Sequence, residues 1–330
     1  MNNRFGIKDL ILIVLILVIL MSLWISQWRE DHRFKQTIAQ SERLTSVERQ
    51  LGRIRASLDD PNREVGTGPR QPGARDTSWA RPGVEIAWQP DRAFDSDPMA
   101  HPDAEVGGTF TEALNAQTST VVPLVYKDVY GAYVFQRVCE YLGDYDPRTL
   151  EPRGVLAEAW QYAPDGTWLR LRLRAKARFS DGTPVTADDV IWTFNWMRNP
   201  LVQAERPRST TDFIESIERI DDKTVEMKFK EVLFSNLTAA LGGFPILPKH
   251  VYENVTPTQF NDATGFVVGS GPFKFASTSL DNQWRPPADI VLVRNEQYWG
   301  PRPLYDELRF RFINDDLARV TAFNNGECDL

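Results

Sequence analysis

The stretch "RFSDGTPVTADDVIWTF", Arg178 to Phe194, decides how this chain folds. Its three aspartates, Asp181, Asp188 and Asp189, fit either a metal or acid–base cluster or plain punctuation between a strand and a helix. Ser180 to Pro184 has the chemistry of a turn, with an aspartate at the start, Gly182 for positive φ and Pro184 to fix the exit. Thr186 to Asp189 fits a capping box, Thr186 as N-cap and Asp189 three residues on. Asp188 and Asp189 also suit the positive end of a helix dipole. Val190, Ile191, Phe194 and Met197 then follow at helical spacing. Each aspartate has a local structural task, so the reading is a turn and a capped helix, with no metal ion.

Working outward, Trp168 to Arg174 (WLRLRLR) alternates, placing Leu169, Leu171 and Leu173 on one face and three arginines on the other. That arginine stripe reads as the wet face of a half-buried antiparallel sheet. "IERIDDKTVEMKFK" (217–230) repeats the design as a hairpin, with Asp221-Asp222-Lys223 as its turn and Val225, Met227 and Phe229 inward. Upstream, "GGTFTEAL" (107–114) alternates Phe110, Glu112 and Leu114 as a strand after a glycine turn. Val129 to Leu142 reads as a helix, with Cys139 as a small core residue. Together these pieces describe an α/β (mixed α+β) domain.

The groups a reaction needs do not converge. The three histidines, His32, His101 and His250, are scattered, and the two cysteines, Cys139 and Cys328, lack metal-site spacing. Nucleophile-elbow, zinc-protease, P-loop and dinucleotide motifs are missing, and "GSGPF" (269–273) lacks the lysine of a phosphate cradle. The formal net charge of −7 argues against nucleic acid as a partner. The expectation is a protein that is not an enzyme and takes no cofactor.

The amino-terminal part has a different character. Leu10 to Trp28 is apolar enough for a bilayer span, and Trp24, Trp28 and Arg29 form the flank of an uncleaved signal-anchor. Residues 29–58 read as a helical stalk, because Leu44, Val47, Leu51, Ile54 and Leu58 alternate spacings of three and four as in a coiled coil. Paired stalks would give a homodimer. Residues 59–106, rich in proline, glycine and charge, read as a flexible linker, leaving 107–330 as the globular part.

The order of segments in that part resembles the bacterial extracellular solute-binding proteins of family 5, the peptide/nickel group that serves ABC transporters. The matching segments are "GGTFTEAL", "YDPRTLEPRGVLAEAWQYAPDGTWLRLRLRAKARFSDGTPVTADDVIWTFNWM" (145–197) and "ERIDDKTVEMKFKE" (218–231). They continue with "PILPKHVY" (245–252), "VGSGPFKF" (268–275), "VLVRNEQYWGPRP" (291–303) and "LRFRFINDDLARVTAFNNGECDL" (308–330). The resemblance implies the amino-terminal lobe of a two-lobed, class II periplasmic-binding-protein-like trap; "NNGECDL" (324–330) is similar to the segment just before the crossing into the second lobe, so the expectation is either a fragment of a longer protein or a truncated form without that lobe. It also implies a peptide or other small solute as ligand, ABC permease subunits as partners, and a globular domain in the periplasm, here held to the cell membrane. The ligand side would be formed by Asn115, Gln117, Thr118 and Ser119, with Phe234. Asp181, Gly182, Thr186, Asp189, Gly269, Gly271, Tyr298 and Trp299 would be structural motif residues. The alternative is an interaction or sensor module built on the same lobe.

Overall fold

In the computed structural model, residues 75–91, 101–147, 149–279 and 283–330 are described. The expected span (10–28), stalk (29–58) and first part of the linker lie outside the described residues. Among the described residues, no helix is long and apolar enough to cross a membrane.

In chain order the strands are β1 (Ala87–Trp88), β2 (Thr109–Leu114), β3 (Gly143–Tyr145), β4 (Pro152–Gly154), β5 (Ala157–Tyr162) and β6 (Trp168–Leu173). They continue as β7 (Ile214–Asp221), β8 (Thr224–Phe229), β9 (Phe273–Lys274), β10 (Ile290–Arg294) and β11 (Glu307–Phe312). The helices are α1 (Val129–Phe135), α2 (Ala187–Arg198), α3 (Glu205–Thr210), α4 (Asn236–Gly242), α5 (Lys249–Tyr252), α6 (Pro257–Asp262) and α7 (Asp316–Asn324). An antiparallel five-stranded sheet runs β1-β5-β6-β8-β7. A second sheet runs β2-β11-β10-β9, in which β2 and β11 are parallel. β3 and β4 form a small ribbon.

The alternation of β6 and β8 builds the core of the first sheet. Leu169 faces Met227 and Leu171 faces Val225 across the ladder, all four fully buried. Helix α2 covers this face with Val190, Phe194 and Met197. Burying such side chains stabilises by about 1.5–3 kcal/mol each, which is why a period of two beside a period of 3.6 suffices to specify the layer.

The opening stretch folds as a turn and a capped helix. Phe179 N–H donates to the Thr183 carbonyl at 2.8 Å, and Gly182 between them has φ +89°. At the head of α2, Thr186 donates to Asp189 Oδ2 from its backbone N–H at 2.8 Å and from its hydroxyl at 2.7 Å. Asp189 also accepts from Lys249 N–H at 2.9 Å, so one buried carboxylate both caps α2 and pins the start of α5. Asp188 lies at the surface, paired with Arg219 at 3.1 Å.

Three expectations need correction. The arginine face of β6 is not wet, because residues 76–91 lie across it. Arg170 donates to Glu226 and to the Trp79 carbonyl, Arg172 reaches Asp76, and Arg174 bonds the Val155 and Pro90 carbonyls. The expected linker therefore includes a folded strap: Trp79 is 2% exposed, and Gln161 bonds the backbone of Arg81 and Val84. Arg81 pairs with Glu226 and stacks on Trp168. A polar sheet face is stable here because each buried charge finds a partner. Finally, the helix expected over Val129 to Leu142 ends at Phe135. Beyond it the Arg137 and Val138 carbonyls accept from Phe273 and Gly271, so they serve a neighbouring segment instead of further helix.

Candidate functional site

The parallel pair β2–β11 places the carboxyl ends of two strands side by side, Leu114 against Phe312. Loops leaving the carboxyl ends of parallel strands are where open α/β sheets take ligands, because the chain there turns away and leaves a crevice. Here the two departing segments are 115–120 and 313–315. Asn115, Gln117 and Ser119 are exposed in the first, and Asn314 and Asp315 in the second.

Helix α1 forms the wall behind this edge. Its N-cap Asp128 accepts from Gly131 N–H at 2.8 Å through Oδ1 and from the Thr118 hydroxyl at 2.8 Å through Oδ2. Thr118, expected at the ligand surface, is buried and also donates to the Thr120 carbonyl at 3.0 Å. It holds the loop in shape and presents nothing to a ligand. Asn115 accepts from the Tyr130 hydroxyl, which ties the exposed loop to α1. One turn further on, the Tyr133 hydroxyl donates to Glu112 Oε2 at 3.0 Å, and the Arg137 guanidinium lies 4.4 Å from the Tyr133 ring. Lys127 and Val129, both exposed, complete the rim.

Phe234 stands apart from this group. It follows β8, in the other sheet, and its side chain is fully exposed beside exposed Val232 and Leu233. The sequence reading missed Tyr130, Tyr133 and Glu112. For the two tyrosines the signal was their spacing of three, which puts Tyr130 and Tyr133 on one face of α1.

The expected motif residues make packing and hydrogen-bond contacts away from the ledge. Gly269 and Gly271 pass so close to the end of α1 that a Cβ would lie 2.3 Å from the Val138 carbonyl at one and 2.7 Å from that of Arg137 at the other. Tyr298 and Trp299 donate to the buried Glu140 carboxylate at 2.7 and 2.8 Å. Burial pushes the Cys139 thiol well above its ordinary range, so it stays protonated and is no nucleophile. Cys328 is buried as expected, and both cysteines are free.

His250 lies with Nε2 2.6 Å from Asp181 Oδ2. Burial alone would raise the Asp181 carboxyl, but hydrogen bonds from His250 and Thr183 outweigh it and hold the carboxyl below its ordinary range. This pair braces the turn against α5. Among the described residues, no three His, Cys, Asp or Glu side chains are grouped to hold a metal ion.

A cavity of about 760 Å³ adjoins the end of α1 at Gln136 and Arg137 and extends to Tyr126, Tyr141, Arg153 and Arg206. None of residues 115–120 lines it, and its Arg153 is already paired with Asp144 at 2.6 Å. Concavity alone therefore does not mark the site; the strand-end ledge has the exposed, convergent polar groups.

A five-stranded antiparallel sheet and a four-stranded sheet holding one parallel pair, with an open polar ledge at that pair's carboxyl edge, fit one lobe of a periplasmic-binding-protein-like fold. The chain belongs to the bacterial extracellular solute-binding proteins, family 5 (Middle), whose pattern matches residues 151–330. The peptidoglycan-binding protein YepA of Agrobacterium fabrum is 28% identical over 255 residues, 71% of this chain and 39% of that protein. The oligopeptide-binding protein AppA from Bacillus subtilis, solved with a nonapeptide, matches with a TM-score of 0.61 and 26% identity over 68% of this chain and 44% of AppA. The ABC transporter-associated periplasmic binding protein DppA from Helicobacter pylori, solved with the peptide STSA, gives 0.59 and 26%, covering 68% and 46%. The chain thus spans less than half the length of these relatives.

Proposed function

We propose that this chain is the amino-terminal lobe of an extracytoplasmic solute-binding component of an ABC transporter, which takes up a peptide or peptide-like solute and carries out no reaction. The observation that carries this reading is the ledge at the β2–β11 carboxyl edge, where Asn115, Gln117, Ser119, Val129 and Tyr130 leave polar and apolar groups open together. The peptides bound by AppA and DppA and the name of YepA support short peptides, including those derived from peptidoglycan, as the ligand class. In this reading a second lobe closes over the ledge, and ABC permease subunits receive the solute. Residues 10–28 anchor the protein in the cell membrane with the lobe in the periplasm, and residues 29–58 pair two copies. The test is a thermal-shift screen of the protein against short peptides, muropeptides and metal chelates. A solute bound only by the folded state must raise its melting temperature. Stabilisation by peptides is expected; stabilisation by chelates alone, or by nothing, would overturn the ligand class.

A further inference from the structure

We infer that the cavity beside the end of α1 takes an acidic side chain of the bound peptide, an inference that rests on the solute-binding reading above. Arg137, just past α1, and Arg206, on α3, both line it. Each guanidinium lies against a tyrosine ring, Arg137 at 4.4 Å from the centre of Tyr133 and Arg206 at 5.3 Å from that of Tyr126. Among the described residues, neither makes an ion pair or a side-chain hydrogen bond. The third arginine of the lining, Arg153, is held by Asp144 at 2.6 Å. Its other carboxylate, Glu140, is buried and accepts from Tyr298 and Trp299.

A guanidinium stacked on an aromatic face uses its flat side and leaves its N–H edges open. The two tyrosines therefore hold two cationic groups at the cavity without neutralising them. Such an edge matches a carboxylate, which accepts two parallel hydrogen bonds from it. The cavity is also placed for a ligand that starts on the ledge, because Tyr126 lines it and the next residue, Lys127, belongs to the rim. Tyr133, against which Arg137 rests, is on the same helix as Tyr130. At about 760 Å³ the space admits a side chain together with the backbone that carries it. A glutamate of the ligand supplies the matching carboxylate; a glutamine of nearly the same shape supplies a neutral amide.

The test is calorimetric titration of the 330-residue protein with Ala-Glu-Ala amide and Ala-Gln-Ala amide, repeated on Arg206→Gln, Arg206→Lys and Arg137→Gln. Both probes have a free amino terminus and no terminal carboxylate, so only the middle side chain differs. A charge-assisted hydrogen bond discriminates by about tenfold or more, and the wild-type protein is expected to prefer the glutamate probe by that factor. Arg206→Gln and Arg137→Gln should each narrow the preference to about threefold or less, and Arg206→Lys should keep an intermediate one. Arg206 is exposed, so its variants should melt as the wild type does. An undiminished preference in both glutamine variants would mean that the acid is read elsewhere, and would overturn the inference. Equal wild-type binding of both probes would overturn it while leaving the solute reading standing. Binding of neither would remove both.

Discussion

Replacing Asp189 should be among the most damaging single changes at the surface-to-core boundary of α2, despite its place in an aspartate pair that looks interchangeable. Its carboxylate is 5% exposed and accepts from Thr186 N–H, the Thr186 hydroxyl and Lys249 N–H, all within 2.9 Å. Asp189→Ala removes the capping contact, worth about 0.5–2 kcal/mol. It also leaves buried donors without an acceptor, at about 1–3 kcal/mol each. Contributions in one network are not additive, so a total of roughly 3 kcal/mol is expected. In a domain of this size that corresponds to a fall of about 6–12 °C in melting temperature. Asp188→Ala is the internal control: its partner Arg219 and the carboxylate are each 47% exposed, and such pairs are worth about 0–1 kcal/mol. The assay is urea unfolding followed by tryptophan fluorescence, with thermal melts in parallel. Equal destabilisation by the two variants, or a loss below about 1 kcal/mol for Asp189→Ala, would refute the assignment of Asp189 as the network's centre.

Asp181 has a depressed carboxyl in the folded state, so it contributes stability above the ordinary value of 3.8 that is lost as pH falls through the folded value. Asp181→Asn should therefore be less stable at neutral pH, and its melts below about pH 4 should fall less steeply than those of the wild type. Gly269→Ala should destabilise by about 1–3 kcal/mol, because its Cβ would meet the Val138 carbonyl at 2.3 Å. Gly242→Ala, with its nearest neighbour at 3.6 Å, should be neutral or slightly stabilising in denaturant titrations. Trp79→Ala should cost about 3–5 kcal/mol and expose residues 76–91 to limited proteolysis.

The elements legible in the sequence were those whose pattern is local. The β6 and β8 alternation, the 221–223 turn and the Thr186–Asp189 cap depend on neighbours within a few residues, and each stands where spacing placed it. The strap was not legible, because its stability comes from residues distant in sequence, such as Gln161 and Glu226. Its own composition is that of a linker. The end of α1 was missed for a similar reason: nothing local stops the helix, but the glycines at 269 and 271 bring in a distant segment that takes its carbonyls. Asn115, Gln117 and Ser119 are exposed on the strand-end loop, whereas Thr118 in the same run turns inward to Asp128. Residue type alone does not distinguish a loop's outward side chains from those that hold it together.

The central claim is that the ledge formed by the β2–β11 carboxyl edge and α1 receives the solute. Hydrogen exchange of the protein with and without a saturating peptide identified by the thermal-shift screen tests it most directly. The account predicts added protection concentrated in residues 115–120 and 127–133. Protection confined to other segments, such as those around the 760 Å³ cavity at Tyr141 and Arg206, would contradict it.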